Sequence, residues 1–245
     1  MAKRPFIRKQ KRKKHGTTFW DSEYNSGGEH LALSNEESED LAKFVRWLAR
    51  QKTDMNLSIN PQVVDLGCGN GRNLIYLANE FHIHGTGYDT SSAAISEAKK
   101  NSVGLALDYE VRSIAGPLNL PDDSTDLAMD MMASHFLPAK DREFLRTEIH
   151  RILKPGGWLF MKTFLLDEDL HSQRLLKDFP SNEPRTYIHP VIGVPEHVYS
   201  EEEITAFLEQ DFIIHKVYRS HKHRLHGQAR KRRTISIYAQ KDPYK

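Results

Sequence analysis

The sequence predicts an α/β protein: a doubly wound, mostly parallel seven-stranded sheet with helices on both faces and a C-terminal antiparallel edge hairpin. Three observations support this. Strand-like and helix-like segments alternate from residue 62 to 164, the pattern of a parallel sheet covered by helices. Three glycines at alternate positions follow the first strand, where open α/β sheets bind ligands. Two later strand-like runs, 212–224 and 232–241, are joined so closely that they must pair antiparallel.

Seven segments are predicted as strands. They cover residues 62–67, 84–89, 106–113, 125–132, 158–164, 212–224 and 232–241. The fourth follows the turn signal Pro121-Asp122-Asp123. The fifth follows a second turn signal, Lys154-Pro155-Gly156-Gly157, which should also end the preceding helix.

Apolar spacing of three and four residues predicts five helices. They cover residues 34–51, 71–81, 91–101, 140–153 and 200–210. The first opens with Ser34 and acidic residues, which is typical of a capped start, and Ser91 caps the third. Residues 17–30 suit either an ordered loop or a short helix.

The 245 residues show no internal repeat and suit one large domain, predicted at 17–245, after a basic and disordered arm at 1–16. Periodicity breaks at about 165–199, which we predict to be a substrate-side insertion. Cys68 is the single cysteine, so the chain cannot form an internal disulfide or a Cys-rich metal site, and a reducing, cytoplasmic compartment fits. No apolar run approaches the roughly 20 residues of a membrane span, so we expect no membrane association.

The net charge of +2 hides an asymmetry. Residues 3–14 carry eight basic side chains, and the rest of the chain has 27 basic against 33 acidic residues. A second basic stretch lies at 216–233. Together these segments could bind a polyanion or nucleic acid through phosphate contacts, but each also suits a solvated surface. His221, His223 and His226 have no carboxylate or cysteine among them, so we predict no metal.

The glycine turn has acidic neighbours. Its spacing, Gly67-x-Gly69-x-Gly71, differs from the G-x-G-x-x-G of dinucleotide enzymes. Asp65 precedes it at the strand end, where a carboxylate repels phosphate and attracts a cationic ligand. Asp89 ends the next strand, where an acceptor for ribose hydroxyls belongs. These features favour a cationic nucleotide ligand over a phosphate.

The motifs together resemble those of the class I, Rossmann-like S-adenosylmethionine-dependent methyltransferases. The matching stretches are VVDLGCGNG at 63–71, Tyr88-Asp89, LPDDSTDLAMDMMASHFL at 120–137 and EIHRILKPGGWLFM at 148–161. The resemblance covers about 60–165 closely and the terminal hairpin more loosely. It implies methylation of an acceptor, with S-adenosyl-L-methionine as cofactor and S-adenosyl-L-homocysteine as product.

The resemblance also implies cofactor contacts along this sequence. Asp65 would hold the ammonium of the cofactor, and Asp89 would accept both ribose hydroxyls. Ser113 and Ile114 would flank the adenine, although many members have an acid where this chain has Ser113. The full predicted set is Trp20, Tyr24, Asp65, Gly67, Cys68, Gly69, Asn70, Gly71, Asp89, Thr90, Ser113, Ile114, Met131 and Met132.

Catalysis and acceptor are less defined. A general base helps only where the acceptor loses a proton, and His135, after the fourth strand, is the candidate; a packed histidine is the alternative. Tyr187, His189 and His197 are substrate-site candidates because they lie in the 165–199 insertion. The acceptor is open between a small molecule and RNA or protein. A non-catalytic cofactor-binding adaptor and, less favoured by the glycine spacing, a dinucleotide-dependent oxidoreductase are the other hypotheses.

Overall fold

A computed structural model describes residues 17–28, 33–51, 60–220, 224–225, 228–229 and 232–244. The predicted arm at 1–16 and the three histidines of the 221–226 cluster lie outside the described residues. The described helices are α1 (Thr17–Ser26), α2 (Glu39–Leu48), α3 (Arg72–Phe81), α4 (Ser92–Asn101), α5 (Ala139–Ile152), α6 (Leu170–Asp178) and α7 (Glu201–Leu208), with a 3₁₀ turn, η1 (Ser134–Phe136).

The strands alternate with these helices. They are β1 (Gln62–Leu66), β2 (His84–Asp89), β3 (Leu107–Val111), β4 (Thr125–Met131), β5 (Leu153–Phe164), β6 (Thr186–Ile188), β7 (Pro195–His197), β8 (Phe212–Arg219), β9 (Arg224–Leu225), β10 (Gln228–Ala229) and β11 (Thr234–Lys241). Seven of them form one sheet in the order β3-β2-β1-β4-β5-β11-β8. Strands β1 to β5 pair parallel, and β11 pairs antiparallel with both β5 and β8. The predicted fold class is confirmed.

Adjacent side chains of each strand point to opposite sides of the sheet. Helices cover both sides, so the sheet contributes to two separate cores. Val63 belongs to a core that α2, α3 and α4 cover, in which Phe44 stacks on Phe160 with ring centroids 5.0 Å apart. Val64 belongs to the opposite core, which α5 and α7 cover. The chain order reverses between β1 and β4, so the carboxyl ends of these two strands frame a crevice.

Two predicted boundaries were wrong. Helix α2 begins at Glu39, not at residue 34, because the Ser34 hydroxyl accepts the Glu36 amide at 3.0 Å in a separate turn. The Lys154-Pro155-Gly156-Gly157 segment does not separate α5 from β5: the strand starts at Leu153. Pairing with β4 continues across this segment with a shift in register, so the turn residues form a bulge within the strand.

The stretch at 165–199, without periodicity in the sequence, contains three regular elements. Helix α6 begins at a side-chain cap, since the Asp169 carboxylate accepts the His171 amide at 3.0 Å. Strands β6 and β7 pair antiparallel, and β7 packs against η1 at the end of β4. None of the described helices is long and apolar enough to cross a membrane.

Candidate functional site

The glycine turn leaves the carboxyl end of β1 in a conformation that glycine favours. Gly67 has φ of 81° and Gly69 has φ of 55°, both in the left-handed region. The amides of Gly67 and Cys68 donate to the Tyr88 carbonyl at 2.7 and 2.9 Å, which ties the turn to β2. A side chain at Gly67 would overlap Ala133, and one at Gly69 would overlap the Tyr24 hydroxyl. The glycine turn is therefore in close contact with Ala133 and Tyr24, with no room for a side chain at Gly67 or Gly69.

A cavity of about 200 Å³ lies beside this turn at the carboxyl ends of the central strands. It is lined by Trp20, Tyr24, Gly67, Gly69, Tyr88, Asp89, Thr90, Arg112, Ser113, Ile114, Met132, Ala133, Phe136 and Leu137. Nine of the fourteen predicted cofactor residues thus line one space, although they come from separate parts of the chain. They are Trp20, Tyr24, Gly67, Gly69, Asp89, Thr90, Ser113, Ile114 and Met132.

Asp89 is held in place by backbone amides. Its Oδ2 accepts from Gly69 at 2.9 Å and its Oδ1 accepts from Ser91 at 2.8 Å. Burial raises the pKa of this carboxyl, and the amide hydrogen bonds oppose that rise. Each carboxylate oxygen can accept more than one bond, so Asp89 keeps capacity toward the cavity that it lines.

Asp65 is buried differently. It is 1% exposed, and its Oδ2 has no hydrogen-bond partner among the described residues. Burial, with a smaller contribution from the charge of Asp89, raises the pKa of Asp65 to about 7. An unpaired buried carboxylate oxygen is expensive, so this atom is suited to a cationic partner.

Helix α1 closes one side of the cavity. Its Asp21 accepts from the Ser91 hydroxyl at 2.7 Å and from the Ala93 amide at 3.2 Å, which fixes α1 to the start of α4. Trp20 and Tyr24 then face the cavity, and Trp20 packs edge-on against Phe136 at 5.3 Å. Of the two conformations expected for 17–30, the helix is the one observed.

Five predicted cofactor residues do not line the cavity: Asp65, Cys68, Asn70, Gly71 and Met131. Asn70 donates to the Ser34 carbonyl at 3.1 Å and to Asn35 Oδ1 at 2.9 Å, so it joins the turn to the segment before α2. Gly71 precedes the first residue of α3. Cys68 is buried, and burial raises the pKa of its thiol, so it suits packing better than nucleophilic chemistry.

The sequence reasoning missed five lining residues: Tyr88, Arg112, Ala133, Phe136 and Leu137. Arg112 lies over the Tyr88 ring at 5.7 Å. The turn after β4 brings Ala133 to the cavity, and the Asp130 carboxylate accepts the Ser134 amide there at 3.1 Å. Ala133, Phe136 and Leu137 lie close in sequence to the predicted Met132 and His135, and this was the signal that could have located them.

His135 lies in η1, immediately beside this lining. It is 1% exposed, and neither ring nitrogen has a hydrogen-bond partner among the described residues. Burial lowers the pKa of this imidazole to about 4, so it is neutral at neutral pH. Its ring packs against Phe136 at 4.2 Å and against Phe164 at 5.2 Å.

The three candidates in the insertion are buried or half-buried but do not line the cavity. His197 lies between Thr186 Oγ1 at 2.9 Å and Glu203 Oε1 at 3.2 Å, so both ring nitrogens are occupied. Tyr187 donates from its hydroxyl to Glu196. His189 accepts the Ile192 amide at 3.2 Å, and its other nitrogen is 4.0 Å from Glu196 Oε2. The described residues contain no group of three potential metal ligands.

A parallel sheet with a crevice at the carboxyl ends of its central strands is typical of nucleotide-binding α/β proteins, and comparison with known proteins narrows the class. Residues 63–157 match the family model described as a methyltransferase domain. A fatty-acid O-methyltransferase of Mycolicibacterium smegmatis is 35% identical over 129 residues, which are 52% of this chain and 46% of that protein. The chain therefore spans about half the length of this relative.

Solved structures give the same result. An S-adenosylmethionine-dependent methyltransferase from Methanosarcina mazei superposes with a TM-score of 0.63 at 27% identity, covering 76% of this chain and 94% of that one. A didemethyltoxoflavin methyltransferase from Burkholderia thailandensis, solved with S-adenosylhomocysteine bound, has a TM-score of 0.64 at 16% identity, covering 90% and 84%. The second likeness, at 16% identity, shows the fold alone. Residues 63–157 thus match a methyltransferase domain, and the predicted resemblance to the class I S-adenosylmethionine-dependent methyltransferases is confirmed as a resemblance.

Proposed function

We propose that this protein transfers the methyl group of S-adenosylmethionine to a small-molecule acceptor that binds beside His135. One observation carries the proposal. The cavity at the carboxyl ends of the strands is lined by the predicted cofactor residues, and its wall at Ala133 and Phe136 flanks a buried histidine whose nitrogens have no partner among the described residues.

The residues around the cavity fit the cofactor. The unpaired Oδ2 of Asp65 suits its ammonium group, and Asp89 lines the cavity with acceptor capacity for ribose hydroxyls. Ser113 and Ile114 would flank the adenine, while Trp20 and Tyr24 cover the space. Bound there, the cofactor supplies an activated methyl group on a sulfonium, so much of the protein's task is positioning.

His135 would act on the acceptor. Its imidazole is neutral and can therefore accept a proton from a hydroxyl or amine that is being methylated. The aromatic rings of Phe136 and Phe164 exclude water around it and orient the ring. The alternative role, a histidine that only packs, is disfavoured because a purely structural histidine normally has a hydrogen-bond partner when buried.

The burial of this region supports a small acceptor over RNA or protein. Tyr187, Glu196 and His197 are each at most 2% exposed, so these described residues of the insertion offer almost no exposed surface for a macromolecule. In the basic stretch at 216–233, two described arginines already have acidic partners: Arg219 pairs with Glu201, and Arg232 pairs with Glu196. The arm at 3–14 remains the stronger polyanion candidate.

The two rival hypotheses have weaker support. A dinucleotide-dependent oxidoreductase would place pyrophosphate at the glycine turn, where Asp65 would repel it and where the glycine spacing differs from G-x-G-x-x-G. A non-catalytic adaptor would have no need for a buried, unpartnered imidazole beside the cavity, which costs stability.

Calorimetry and labelled-methyl transfer together test the proposal. We expect S-adenosylhomocysteine to bind and NAD not to bind. With S-adenosylmethionine labelled on its methyl group and a cell extract, label should enter the low-molecular-weight fraction and should resist nuclease and protease. Label lost after nuclease or protease would contradict the small-molecule acceptor, and cofactor binding without any transfer would favour the adaptor.

A further inference from the structure

A polar cluster surrounds the candidate base His135, and it includes none of the residues predicted to bind the cofactor. We call it the acceptor cluster and define it as His135, Tyr187, His189, Glu196 and Arg232. The Glu196 carboxylate is its centre: it accepts from the Tyr187 hydroxyl and forms an ion pair with Arg232. His135 lies in η1, Tyr187 in β6 and Glu196 in β7. His189 directly follows β6 and Arg232 precedes β11, so only the folded chain assembles the cluster.

Aromatic contacts join the cluster to the cavity. The Arg232 guanidinium stacks on the Phe164 ring at 3.3 Å, and His135 meets the same ring edge-on at 5.2 Å. On its other side His135 contacts Phe136, which lines the cavity. The charges of Glu196 and Arg232 both act on the His135 imidazole, which places all three groups within one electrostatic environment.

Three polar atoms of this cluster have no hydrogen-bond partner among the described residues. They are both ring nitrogens of His135 and Nε of Arg232. A buried polar group left unpaired destabilises the folded protein relative to a paired one. His135 and Arg232 contact the same Phe164 ring, and unpaired groups placed in this way favour a ligand that would satisfy them.

The charge balance of the cluster limits that ligand. Burial is the largest single influence on the pKa of Glu196 and would raise it, but the charges of Arg232 and His135 and the hydrogen bonds from Tyr187 and Arg232 together lower it, which favours the ionised carboxylate. The ion pair is internally neutral and His135 is uncharged, so an anion would be repelled by Glu196 and a cation by Arg232. The unpaired Arg232 N–H needs an acceptor atom, and a neutral imidazole offers one acceptor and one donor nitrogen.

We propose that His135 and Arg232, with Glu196 as the internal counter-ion, recognise a neutral hydroxyl group, so that the methyl acceptor is an alcohol or a phenol. A hydroxyl is both a donor and an acceptor, so it can donate to His135 and accept from Arg232 Nε. Phe136 and Phe164 provide apolar contact for the body of such a compound. This inference rests on the proposed function and specifies its acceptor.

Methyl transfer to such a hydroxyl forms one bond for each bond that it breaks. The hydroxyl oxygen forms a bond to the methyl carbon as the carbon–sulfur bond breaks, and that bonding pair stays on sulfur, which leaves as a neutral thioether. The hydroxyl proton passes to a nitrogen of His135 and then to solvent. Glu196 supports this transfer because its negative charge favours the protonated imidazole.

Three compounds of similar shape and different charge test the inference: phenol, benzoate and benzylamine. The full chain is assayed with labelled S-adenosylmethionine, and kcat/KM is measured for each compound. We expect phenol to exceed the other two at least about tenfold, because each charged compound leaves an uncompensated buried charge. Glu196→Gln should raise the benzoate-to-phenol ratio about tenfold, and Arg232→Met should raise the benzylamine-to-phenol ratio.

Arg146→Met is a matched control. Arg146 is also a nearly buried arginine, paired with Asp211 and stacked on Phe207 at 4.7 Å, but it lies outside the acceptor cluster. This variant should keep the wild-type ranking of the three compounds. S-adenosylhomocysteine binding by calorimetry checks that each variant retains the folded cofactor site.

The outcomes separate the two proposals. Cofactor binding with no transfer to phenol, with equal transfer to all three compounds or with benzoate or benzylamine preferred would overturn this inference alone. So would an Arg146→Met variant that changes the ranking as much as Arg232→Met. Failure of the wild-type protein to bind S-adenosylhomocysteine would overturn the proposed function and the inference with it.

Discussion

At the residue scale, Asp65 and Asp89 show how position alone gives two carboxylates different tasks. Asp89 accepts two backbone amides and lines the cavity, so it is held in one orientation with its charge largely satisfied. Asp65 is fully buried, and one of its oxygens has no partner among the described residues. The first suits fixed hydrogen bonds to hydroxyls, and the second suits a cation.

Asp89→Ala should weaken S-adenosylhomocysteine binding by about 1.5–3 kcal/mol, because it removes charge-assisted hydrogen bonds to the ribose and releases the Gly69 amide. Isothermal calorimetry measures this directly. Asp108→Ala removes an exposed aspartate on the neighbouring strand and should leave affinity unchanged. If Asp89→Ala binds as tightly as the wild type, the ribose assignment is wrong.

Asp65→Asn should weaken S-adenosylhomocysteine binding but stabilise the folded protein at high pH. The folded pKa is about 7 against 3.8 for a free aspartate, so the folded state loses stability as pH rises from about 4 through 7. At pH 8 the asparagine variant should be more stable than the wild type by at least about 1 kcal/mol, with little difference at pH 4. Urea unfolding at both pH values checks this.

The same variant should bind S-adenosylhomocysteine more weakly, because the ammonium loses its counter-charge. A stability difference that is equal at pH 4 and pH 8 would contradict the role of the buried charge. Unchanged affinity would contradict the ammonium contact.

His135 gives the opposite pH dependence. Its folded pKa of about 4 lies below the usual 6.5, so the unfolded chain binds the proton more readily and stability falls as pH drops from 6.5 to 4. The full effect is about 3 kcal/mol. His135→Gln should remove this part of the acid sensitivity, as measured by urea unfolding at pH 7 and pH 5. His84→Gln, at an exposed position, should unfold with the wild-type pH dependence.

Local sequence allowed several residues that line the cavity to be predicted, because they follow strand ends, where chemistry and position coincide. Asp89 and Ser113 could be located by counting strands. Glu196 and Arg232 could not, since they are 36 residues apart and meet only through the pairing of β7 beside η1 and the entry into β11. A basic run on a predicted edge strand indicated solvent or phosphate, and nothing local indicated a buried ion pair.

At the element scale, helix α1 acts as a cover that one side chain fixes. Asp21 accepts hydrogen bonds from Ser91 and Ala93, and Ser91 in turn donates its amide to Asp89. Helix α1, the start of α4 and Asp89, the proposed ribose-binding residue, are therefore connected by hydrogen bonds. Because the hydrogen bond from Ser91 lowers the pKa of Asp21, the carboxylate form that caps α4 is favoured.

Asp21→Ala should weaken S-adenosylhomocysteine binding about three- to tenfold, because Trp20 and Tyr24 would no longer be held over the cavity. Asp21→Asn keeps an acceptor oxygen and should have a smaller effect. Calorimetry and limited proteolysis of α1 with and without S-adenosylhomocysteine are the measurements. Glu80→Ala, exposed at the end of α3, is the control. Equal affinities for Asp21→Ala and Glu80→Ala would exclude this role.

Element prediction succeeded where periodicity is strong and failed where tertiary contacts decide. The strands of the central sheet and helices α3, α4, α5 and α7 could be located from apolar spacing and caps. The start of α2 could not, because its position depends on contact with the first turn of α3: the Ser38 amide donates to Asn73 Oδ1 at 3.1 Å. The pair β6 and β7 has three residues per strand, too few for a recognisable alternation.

At the scale of the whole molecule, charge is distributed unevenly along the chain. Eight basic residues lie within positions 3–14, and the remainder carries a net charge of −6. The second basic stretch is partly neutralised in the fold, since Arg219, Arg232 and Arg233 pair with Glu201, Glu196 and Glu168. Any polyanion binding should therefore depend chiefly on the first segment.

Deletion of residues 1–14 tests this separation of functions. The truncated chain should bind S-adenosylhomocysteine with wild-type affinity, because the cavity is lined by residues from Trp20 onward. Binding of a 20-nucleotide poly(U) RNA is measured by fluorescence anisotropy, and the affinity should fall strongly. The slope of the logarithm of the binding constant against the logarithm of the salt concentration should also become shallower, because fewer counterions are released. Lys216→Glu, within the second stretch, should change neither quantity by more than about twofold. An RNA affinity that survives the deletion but falls with Lys216→Glu would instead assign the polyanion surface to the hairpin of β8 and β11.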